Sequence, residues 1–172
     1  AAATMSTARN CFGACAMSGE LYVIGGSCVN GPFSSVEKYS PASDTWSAVT
    51  PLPTARFAHA AVATGSSMYV LGGSTGNEDN DDEDEWPVTA SVLKFDSTNG
   101  TWSEVAPMPA MRHALAACAI GHNIFVFGGS ASFTDQSSVF KYNKVRNTWR
   151  TLAPMPFASA YHSASVLDGM IY

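Results

Sequence analysis

The sequence predicts an all-β fold, a β-propeller, because a unit of about 47 residues recurs along the chain. Three Gly-Gly pairs mark the unit, and a tryptophan follows each pair. From each of the first two tryptophans to the next Gly pair the interval is 26 residues. Repeats of this period are typical of propellers and solenoids. The repeated residues are Gly25-Gly26, Gly72-Gly73, Gly128-Gly129, Trp46, Trp102 and Trp149.

Each unit contains the patterns of four short strands, and no segment has the pattern of a helix. The first strand is small and apolar, the second is a continuous apolar run that suits burial on both faces, and the third alternates. The fourth begins at the tryptophan and ends at Pro-x-Pro, where proline cannot donate to a ladder. Four strands per unit correspond to one propeller blade. We expect first strands at 11–16, 58–63 and 114–120, second strands at 21–24, 68–71 and 124–127, and third strands at 35–39, 91–95 and 138–142.

The recurring residues resemble kelch repeats. Gly-Gly follows the apolar second strand, Ser-Val-x-Lys followed by Tyr or Phe forms the third, and Pro-x-Pro-x-x-Arg leads out of the first two units. The pattern is most similar to the kelch-like (BTB–kelch) substrate-adaptor type, and it covers the chain apart from one insertion. The resemblance implies a kelch propeller but says little about function, because one fold hosts many functions.

The repeat register divides the chain into units at about 9–55, 56–111 and 112–158, with a partial unit at 159–172. Extended outward, the register places both ends of the sequence inside strands. Since propellers close with about four to eight blades, we expect a partial ring of about three and a half blades. Closure would then need the remaining blades of the same propeller or other copies of the chain. Open strand edges invite association, so the isolated chain should be oligomeric or poorly soluble.

Composition and charge argue against several classes of function. No apolar run is long enough for a membrane helix, and no basic stripe suggests a nucleic-acid partner. The four cysteines form no C-x-x-C pattern, and we see no phosphate loop or catalytic signature. We therefore expect no metal, no cofactor, no catalytic residue, no membrane partner and no nucleic-acid partner. Reduced thiols fit a cytoplasmic protein.

The middle unit carries an acidic insertion at 77–88, between its second and third strands. Seven of the 14 acidic residues of the chain lie there, and Trp86 ends the run. Two interpretations stay open: a solvated segment without function, or a segment that orders on a basic protein surface with Trp86 as an apolar anchor. Calcium binding is a weaker alternative, because the glycine of an EF-hand loop is missing. The acidic residues are Glu78, Asp79, Asp81, Asp82, Glu83, Asp84 and Glu85.

The resemblance to kelch propellers implies a binding rim formed by the loops between second and third strands. The turns that carry each Arg into the next blade lie on the same face. On that resemblance we expect partner binding by the residues just after each Gly pair, the residues just after each Arg, and the loop bodies. Family adaptors often line this face with arginines for acidic peptides, and these loops lack them. The candidates are Ser27, Ser74, Ser130, Asn10, Phe57, His113, Phe133 and Asp135.

Other repeated residues are predicted to be architectural. Each complete unit opens with an Arg 16 residues before its Gly pair, which we expect to bond carbonyls between adjacent blades. His59 and His162 share a slot that other units fill with Phe12 or Leu115, so we expect packing rather than ligation. The arginines are Arg9, Arg56 and Arg112, and Ser159 takes their place in the fourth unit.

Two classes of function follow from these observations. The first is a protein–protein interaction module that presents its second-to-third-strand loops to a protein partner, and that would recognise substrates for a ubiquitin ligase if a BTB or F-box domain accompanies it. The alternative is a kelch-type propeller enzyme, an oxidase or a small-molecule isomerase, with its active site in blades outside this sequence.

Overall fold

The structure is a computed structural model that describes residues 2–75 and 87–172. These residues form three four-stranded antiparallel sheets, which are the propeller blades, and three two-stranded ribbons. The first blade consists of β1 (Gly13–Met17), β2 (Glu20–Ile24), β5 (Val36–Ser40) and β6 (Thr45–Val49). The second consists of β7 (Ala60–Thr64), β8 (Ser67–Leu71), β9 (Val92–Asp96) and β10 (Thr101–Val105). The third consists of β11 (Ala116–Ile120), β12 (Asn123–Phe127), β15 (Val139–Asn143) and β16 (Thr148–Leu152).

The ribbons lie in the loops and at the end of the sequence. Two of them connect second and third strands, in the first blade and in the third. The last forms part of the fourth unit. They are β3 (Ser27–Cys28) with β4 (Gly31–Pro32), β13 (Ser130–Ala131) with β14 (Thr134–Asp135), and β17 (Val166–Leu167) with β18 (Met170–Ile171).

The predicted all-β propeller is confirmed, with small corrections to the strand bounds. First strands begin two residues later than expected, because Cys11, Ala58 and Ala114 have φ of 49–52°, a left-handed conformation that strands do not adopt. Third strands are shifted by one residue toward the C-terminus. Fourth strands begin one residue before the tryptophan and end two residues before the proline. No helix of the described residues is long and apolar enough to cross a membrane.

The four strands of each blade are arranged in the order of the sequence, with the first strand at the propeller axis and the fourth at the outside. β1 lies against β7, and β7 lies against β11. First strands of neighbouring blades therefore face one another, while fourth strands pair only with third strands of their own blade. The two loop ribbons leave the sheets between second and third strands, at one end of the blades.

The hydrophobic core lies between blades rather than within one sheet. One cluster joins Ile24 and Val36 of the first blade to Val70 and Leu93 of the second. A second cluster joins the second blade to the third, with Ile124 among its buried residues. Ile24, Val70 and Ile124 are fully buried members of second strands, as predicted for strands covered on both faces. Burial of each such side chain stabilises the fold by about 1.5–3 kcal/mol.

The tryptophans join adjacent blades and explain the constant interval of the repeat. Trp149 Nε1 donates to the carbonyl of Ala106 at 2.8 Å, and Trp102 Nε1 donates to the carbonyl of Thr50 at 3.0 Å. Each acceptor lies just beyond the fourth strand of the preceding unit. The indole N–H is a donor that needs a partner when it is buried. Changing the interval would separate donor from acceptor.

A second contact joins the second and third blades beside the tryptophan, and we call the two contacts together the blade joint. Asn147 Oδ1 accepts from Tyr142 Oη at 2.7 Å and from the backbone N of Ala106 at 2.9 Å. In the first blade Asp44 Oδ1 accepts from Tyr39 Oη at 2.8 Å, and it accepts in the same way from a backbone N–H.

The middle blade replaces both partners of this pair. Phe95 has no hydroxyl, and Gly100 has no side chain to accept a hydrogen bond. The Thr50 Oγ1 hydroxyl donates to the carbonyl of Gly100 at 2.7 Å instead. Gly100 has φ of 68° in the turn after Asn99, as the Asn-Gly pattern indicates.

A second series of inter-blade bonds follows the axis. The N–H of Ala58 donates to the carbonyl of Cys11 at 2.8 Å, that of Ala114 to Ala58 at 2.7 Å, and that of Tyr161 to Ala114 at 2.9 Å. All four residues occupy the same place in successive units, and all four have φ between 49° and 57°. None of them is glycine, so the blade junction rather than the residue type imposes this conformation.

Candidate functional site

The residue after each Arg pairs with the residue after each Gly pair. Backbone bridges of 2.8–3.0 Å join the two members of each pair in both directions. The structure thus brings six of the candidate binding residues together, two in each blade. The pairs are Asn10 with Ser27, Phe57 with Ser74, and His113 with Ser130.

On its other side each of these serines pairs with a residue that leads into the third strand. Residues directly opposite one another on antiparallel strands project to the same face. Each blade therefore presents a row of three side chains at the loop end, and we call these the rim rows. The first row is Asn10, Ser27 and Pro32, the second is Phe57, Ser74 and Val88, and the third is His113, Ser130 and Asp135.

The Gly pairs create this geometry. Gly72 and Gly73 have φ of 61° and 94°, which L-residues with side chains rarely adopt. A Cβ on Gly72 would collide with the carbonyl of Arg112, and one on Gly73 with the carbonyl of Phe57. The pair turns the chain out of β8 and sets Ser74 opposite Phe57. The other two Gly pairs do the same in their blades.

The arginines fix the Gly pairs by donating hydrogen bonds to their carbonyls. Arg112 Nη1 donates to the carbonyl of Gly128 at 2.7 Å, and Nη2 donates to Ser138 Oγ at 2.9 Å, both in the blade that Arg112 opens. Its own carbonyl accepts from the N–H of Gly73 in the preceding blade at 2.9 Å. Arg112 thus links adjacent blades through its backbone carbonyl. Its side chain bonds within its own blade, whereas the sequence predicted that the side chain would bond carbonyls between blades.

The other two arginines make the equivalent contact with the carbonyl of the first glycine of their pair. Arg56 is buried, and this burial lowers its pKa to about 10. Arg9 also pairs with the Glu37 carboxylate. Burial opposes ionisation of Glu37, but hydrogen bonds from Ser6 and the charge of Arg9 lower its pKa overall. All three cations are occupied within the blades and are not available to an acidic ligand.

The serines of the rows differ in accessibility. Ser74 and Ser130 are 3% and 6% exposed, while Ser27 is half-buried and donates its hydroxyl to Asn10 Oδ1 at 2.6 Å. The two buried serines offer little surface to a macromolecule. Most contact area in the rows therefore comes from the residues on either side of each serine, whose role in binding stays a prediction.

The ribbon tips extend beyond the rows. Val29 is 100% exposed at the tip between β3 and β4, and Phe133 is 83% exposed at the tip between β13 and β14. Ser132 and Phe133 form the whole of the second turn and have φ of 47° and 59°. The sequence places Phe133 at the rim but gives no sign of this conformation. Comparison with the first ribbon, where Gly31 directly follows the turn, could have drawn attention to this loop, because no glycine stands there in the third blade.

The exposed charge of the rim is acidic. Among the described residues of the rim rows and loops, Asp135 is the one exposed side chain with a formal charge. The Lys and Arg residues other than the three buried arginines lie on third or fourth strands or in the turn between them. They are Lys38, Lys94, Lys141, Lys144, Arg146 and Arg150. The acidic residues from Glu78 to Glu85 and Trp86 lie outside the described residues, whereas Pro87 and Val88, at the end of the predicted insertion, pair with Thr75 and Ser74.

The third row contains Ser, His and Asp in the wrong order for nucleophilic catalysis. Ser130 lies between His113 and Asp135, whereas a triad requires His between Ser and the acid. His113 Nδ1 is buried without a hydrogen-bond partner in the described part of the chain. Burial lowers the pKa of His113, and the charge of Asp135 only partly opposes this shift. This row is therefore suited to contact rather than to proton transfer.

A cleft of about 180 Å³ lies at the axis, beside the inter-blade bonds. His59 and His162 line it, together with Phe12 and Leu115 from the equivalent positions. The His59 ring packs against Gly13 and Gly25, and neither of its nitrogens has a hydrogen-bond partner in the described ranges. These contacts agree with the predicted packing role. In the part of the chain that the structure describes, no group of three or more His, Cys, Asp or Glu could hold a metal ion.

The cysteines are free thiols. Cys118 is buried in β11, and the equivalent Cys15 in β1 is half-buried. Burial raises the pKa of Cys15 to about 12 and also raises that of Cys118. Both therefore behave as small apolar side chains between blades, as their repeat positions predict.

Comparison with known proteins agrees with this architecture. The KLHDC2/KLHL20/DRC7 Kelch-repeats domain matches residues 2–172. Kelch-like protein 36 of Bos taurus is 30% identical over 128 residues, which are 74% of this chain and 20% of that protein. Kelch-like protein 35 of Mus musculus is 30% identical over 117 residues, 68% of this chain and 19% of that protein. Kelch repeat and BTB domain-containing protein 12 of Homo sapiens is 29% identical over 114 residues, 64% and 18% respectively.

The chain thus spans about a fifth of the length of these relatives. Among solved structures, that titled "Structure of YjhT" superposes with a TM-score of 0.80 over 95% of this chain and 58% of that chain, at 21% identity. At this identity the likeness shows the fold alone. The family match and the kelch-like relatives together support a protein-interaction propeller. The chain belongs to the kelch-repeat family and is a β-propeller of the kelch-like type.

Proposed function

We propose that this chain is a protein–protein interaction module that docks one protein partner on the rim rows and the adjoining ribbon tips. The observation that carries the proposal is the contrast between framework and rim. Framework positions keep one residue type in every complete blade, as the Gly pairs and Trp46, Trp102 and Trp149 do. The outer positions of the rim rows are geometrically equivalent but differ in chemistry from blade to blade, on either side of a serine that is constant.

This contrast favours recognition of one asymmetric partner. The outer members of the first row are Asn10 and Pro32, those of the second are Phe57 and Val88, and those of the third are His113 and Asp135. The rows thus pass from a neutral polar surface to an apolar one and then to one with a carboxylate. Loops held on a rigid scaffold are common sites of binding. Rows held by backbone hydrogen bonds within each blade lose little conformational freedom on binding, which favours affinity.

The partner in this proposal presents a basic surface. The chain has a net charge of −5, and seven of its acidic residues lie in the loop that enters the second row. Asp135 adds a carboxylate to the third row, while the three arginines nearest the rim are engaged within the blades. Complementary charge speeds association and selects partners more than it adds affinity.

The whole protein, in this proposal, recognises substrates for a ubiquitin ligase in the cytoplasm. Support comes from the resemblance to BTB–kelch adaptors and from the relative whose name includes a BTB domain. Four free thiols fit the reducing conditions of that compartment. Binding at the rim and delivery to a ligase are separable, and they are tested separately.

Photo-crosslinking from the rim tests the binding function. A benzoylphenylalanine is placed in the full-length protein at Asn10, Val88 or Asp135, one position from each row. Ser103, an exposed residue on the outer strand β10, is the matched control. We expect the three rim positions to crosslink to the same protein and the control position to give no such product.

Crosslinks of equal yield from Ser103 would refute the rim as the docking surface. Unchanged protein contacts on rim substitution, together with turnover of a small molecule by the full-length protein, would favour the enzyme alternative. Ligase delivery is supported if ubiquitination of the crosslinked protein falls when the rim is substituted. Unchanged ubiquitination with lost binding would reject delivery and retain the interaction.

A further inference from the structure

The turn between β13 and β14 has an unfavourable residue at an exposed place. It is a two-residue hairpin turn in which both residues, Ser132 and Phe133, have positive φ. Turns of this kind favour Asn-Gly, because glycine takes positive φ without steric cost. A bulky side chain with φ of 59° is an outlier.

Burial of the Phe133 ring does not offset the cost of its positive φ. Phe133 is 83% exposed, so its ring buries little apolar surface in the free chain. A residue that is disfavoured both by its backbone conformation and by its exposure points to a function of the side chain itself. An exposed aromatic ring on a rigid turn can serve as a binding anchor, since it loses little freedom when it docks.

The ribbon that carries Phe133 is well braced. Ser130 pairs with Asp135 and Ala131 with Thr134. The N–H of Gln136 donates to the carbonyl of Gly129 at 2.8 Å, and Gln136 Nε2 donates to the carbonyl of Thr134 at 2.9 Å. Phe133 is therefore held in position before any partner arrives.

Phe133 is the turn residue directly before β14, and Asp135 lies two residues further on as the last residue of that strand. Because two residues of chain span at most roughly 7 Å, the two positions lie within that distance of each other. One planar guanidinium can stack on an aromatic ring and pair with a carboxylate at this separation. Asp135 is exposed, and no ion pair joins it to another described residue.

We propose that Phe133 and Asp135 form a subsite for an arginine side chain of the protein partner. The guanidinium stacks on the Phe133 ring and donates to the Asp135 carboxylate. Arginine fits better than lysine, because its planar group can do both at once whereas an ammonium is a compact, strongly hydrated charge. This inference rests on the proposed interaction function and specifies which partner chemistry the third row recognises.

Selection of peptides against the full-length protein tests the subsite. A phage library of random 12-residue peptides is selected on wild-type protein, with counter-selection on the Phe133→Gly variant. We expect the enriched peptides to share an arginine. Enrichment of acidic peptides, or of apolar peptides without a cation, would overturn the proposal.

Titration of an enriched peptide then assigns the two contacts. Phe133→Gly should weaken binding by about tenfold or more, as loss of an aromatic anchor does. Asp135→Asn should weaken it by about threefold to fivefold and reduce its salt dependence, as expected for an exposed ion pair. Replacing the peptide arginine by citrulline should weaken binding to wild type but not to a variant with both substitutions.

The controls separate binding from folding. Phe133→Gly relieves a strained turn, so its melting temperature should equal or exceed that of wild type. Val145→Gly removes an exposed apolar side chain from the turn between β15 and β16, outside the rim, and should leave peptide affinity unchanged. Wild-type affinity in both Phe133→Gly and Asp135→Asn would refute the subsite. If rim crosslinks persisted in that case, the interaction function would stand without it.

Discussion

His59 should make the fold sensitive to acid, and the substitution His59→Leu tests this. The ring is 5% exposed, between Gly13 and Gly25 at the junction of the first two blades. Burial, reinforced by the positive charge of Arg56, lowers the pKa of His59 to about 3, and the nearby backbone of Ile24 opposes the shift only in part. The imidazole is therefore neutral in the folded chain at any mildly acidic pH.

The sign of the effect follows from proton binding. An unfolded chain protonates this histidine near its ordinary pKa of about 6.5, whereas the folded chain does so only near 3. Below about pH 6.5 the unfolded state binds more protons, so stability falls as pH falls and stops falling near pH 3. The loss amounts to roughly 2 kcal/mol at pH 5 and approaches a limit of roughly 5 kcal/mol below pH 3, at about 1.4 kcal/mol per pH unit.

Leucine is a suitable replacement because the structure already contains it at the equivalent position. Leu115 fills the same slot in the next blade, with 6% exposure. Urea unfolding followed by tryptophan fluorescence at pH 7.5 and pH 5 gives the free energy of unfolding for each variant. We expect wild type to lose about 2 kcal/mol more than His59→Leu between these values.

The reciprocal variant Leu115→His is the matched control and should gain acid sensitivity. His113, whose pKa is also lowered by burial, contributes equally to wild type and His59→Leu, so the difference between them isolates His59. Parallel pH dependence in wild type and His59→Leu would refute the reasoning. It would mean that the ring finds a proton acceptor or water in the folded chain.

Three further predictions concern the blade joints and the acidic loop. Trp149→Phe removes the donor to the Ala106 carbonyl and should lower the free energy of unfolding by about 1–2 kcal/mol in urea titration, and an unchanged midpoint would contradict this role. Phe95→Tyr combined with Gly100→Asn introduces into the middle blade the Tyr–Asn hydrogen bond that Tyr142 and Asn147 form in the third. A double-mutant cycle should show favourable coupling of about 1 kcal/mol, and additive effects would show that the pair does not form. Neutralising the seven acidic residues from Glu78 to Glu85 should slow association with the partner and flatten its salt dependence, whereas Trp86→Ala should raise the off-rate; stopped-flow rates equal to wild type would leave the loop without a role.

Repetition is what made much of this fold predictable. The placement of Trp102 in a fourth strand could be inferred from its constant interval. The structure supplies the reason for the interval, because the indole N–H must reach the carbonyl of Thr50 in the preceding blade. The architectural role of Arg56 followed from its recurrence, since a position filled alike in every complete blade serves the blade itself. The strand bounds were displaced by one or two residues where left-handed residues or proline end the ladder.

The parts that the sequence did not reveal depend on contacts between units. Cys11, Ala58, Ala114 and Tyr161 share a left-handed conformation, yet their side chains have nothing in common that would indicate it. The pairing that aligns each rim row likewise joins residues 17 positions apart. The Gly pair beside each row donates a backbone hydrogen bond to a carbonyl of the next unit, as Gly73 does to Arg112. The burial of Ser74 is a result of that pairing. Local residue preferences carry no information about such junctions.

The hydrogen bonds along the axis give the array a polarity with an evolutionary consequence. Each bond of this axial series joins an N–H from the later blade to a carbonyl from the earlier one, as between Ala114 and Ala58. Every blade therefore carries both halves of a head-to-tail joint. A duplicated blade would bring the donor that its predecessor needs and the acceptor that its successor needs, so no new complementary surface would have to evolve. Gene duplication can in this way change the number of blades while the loops at the rim diverge independently.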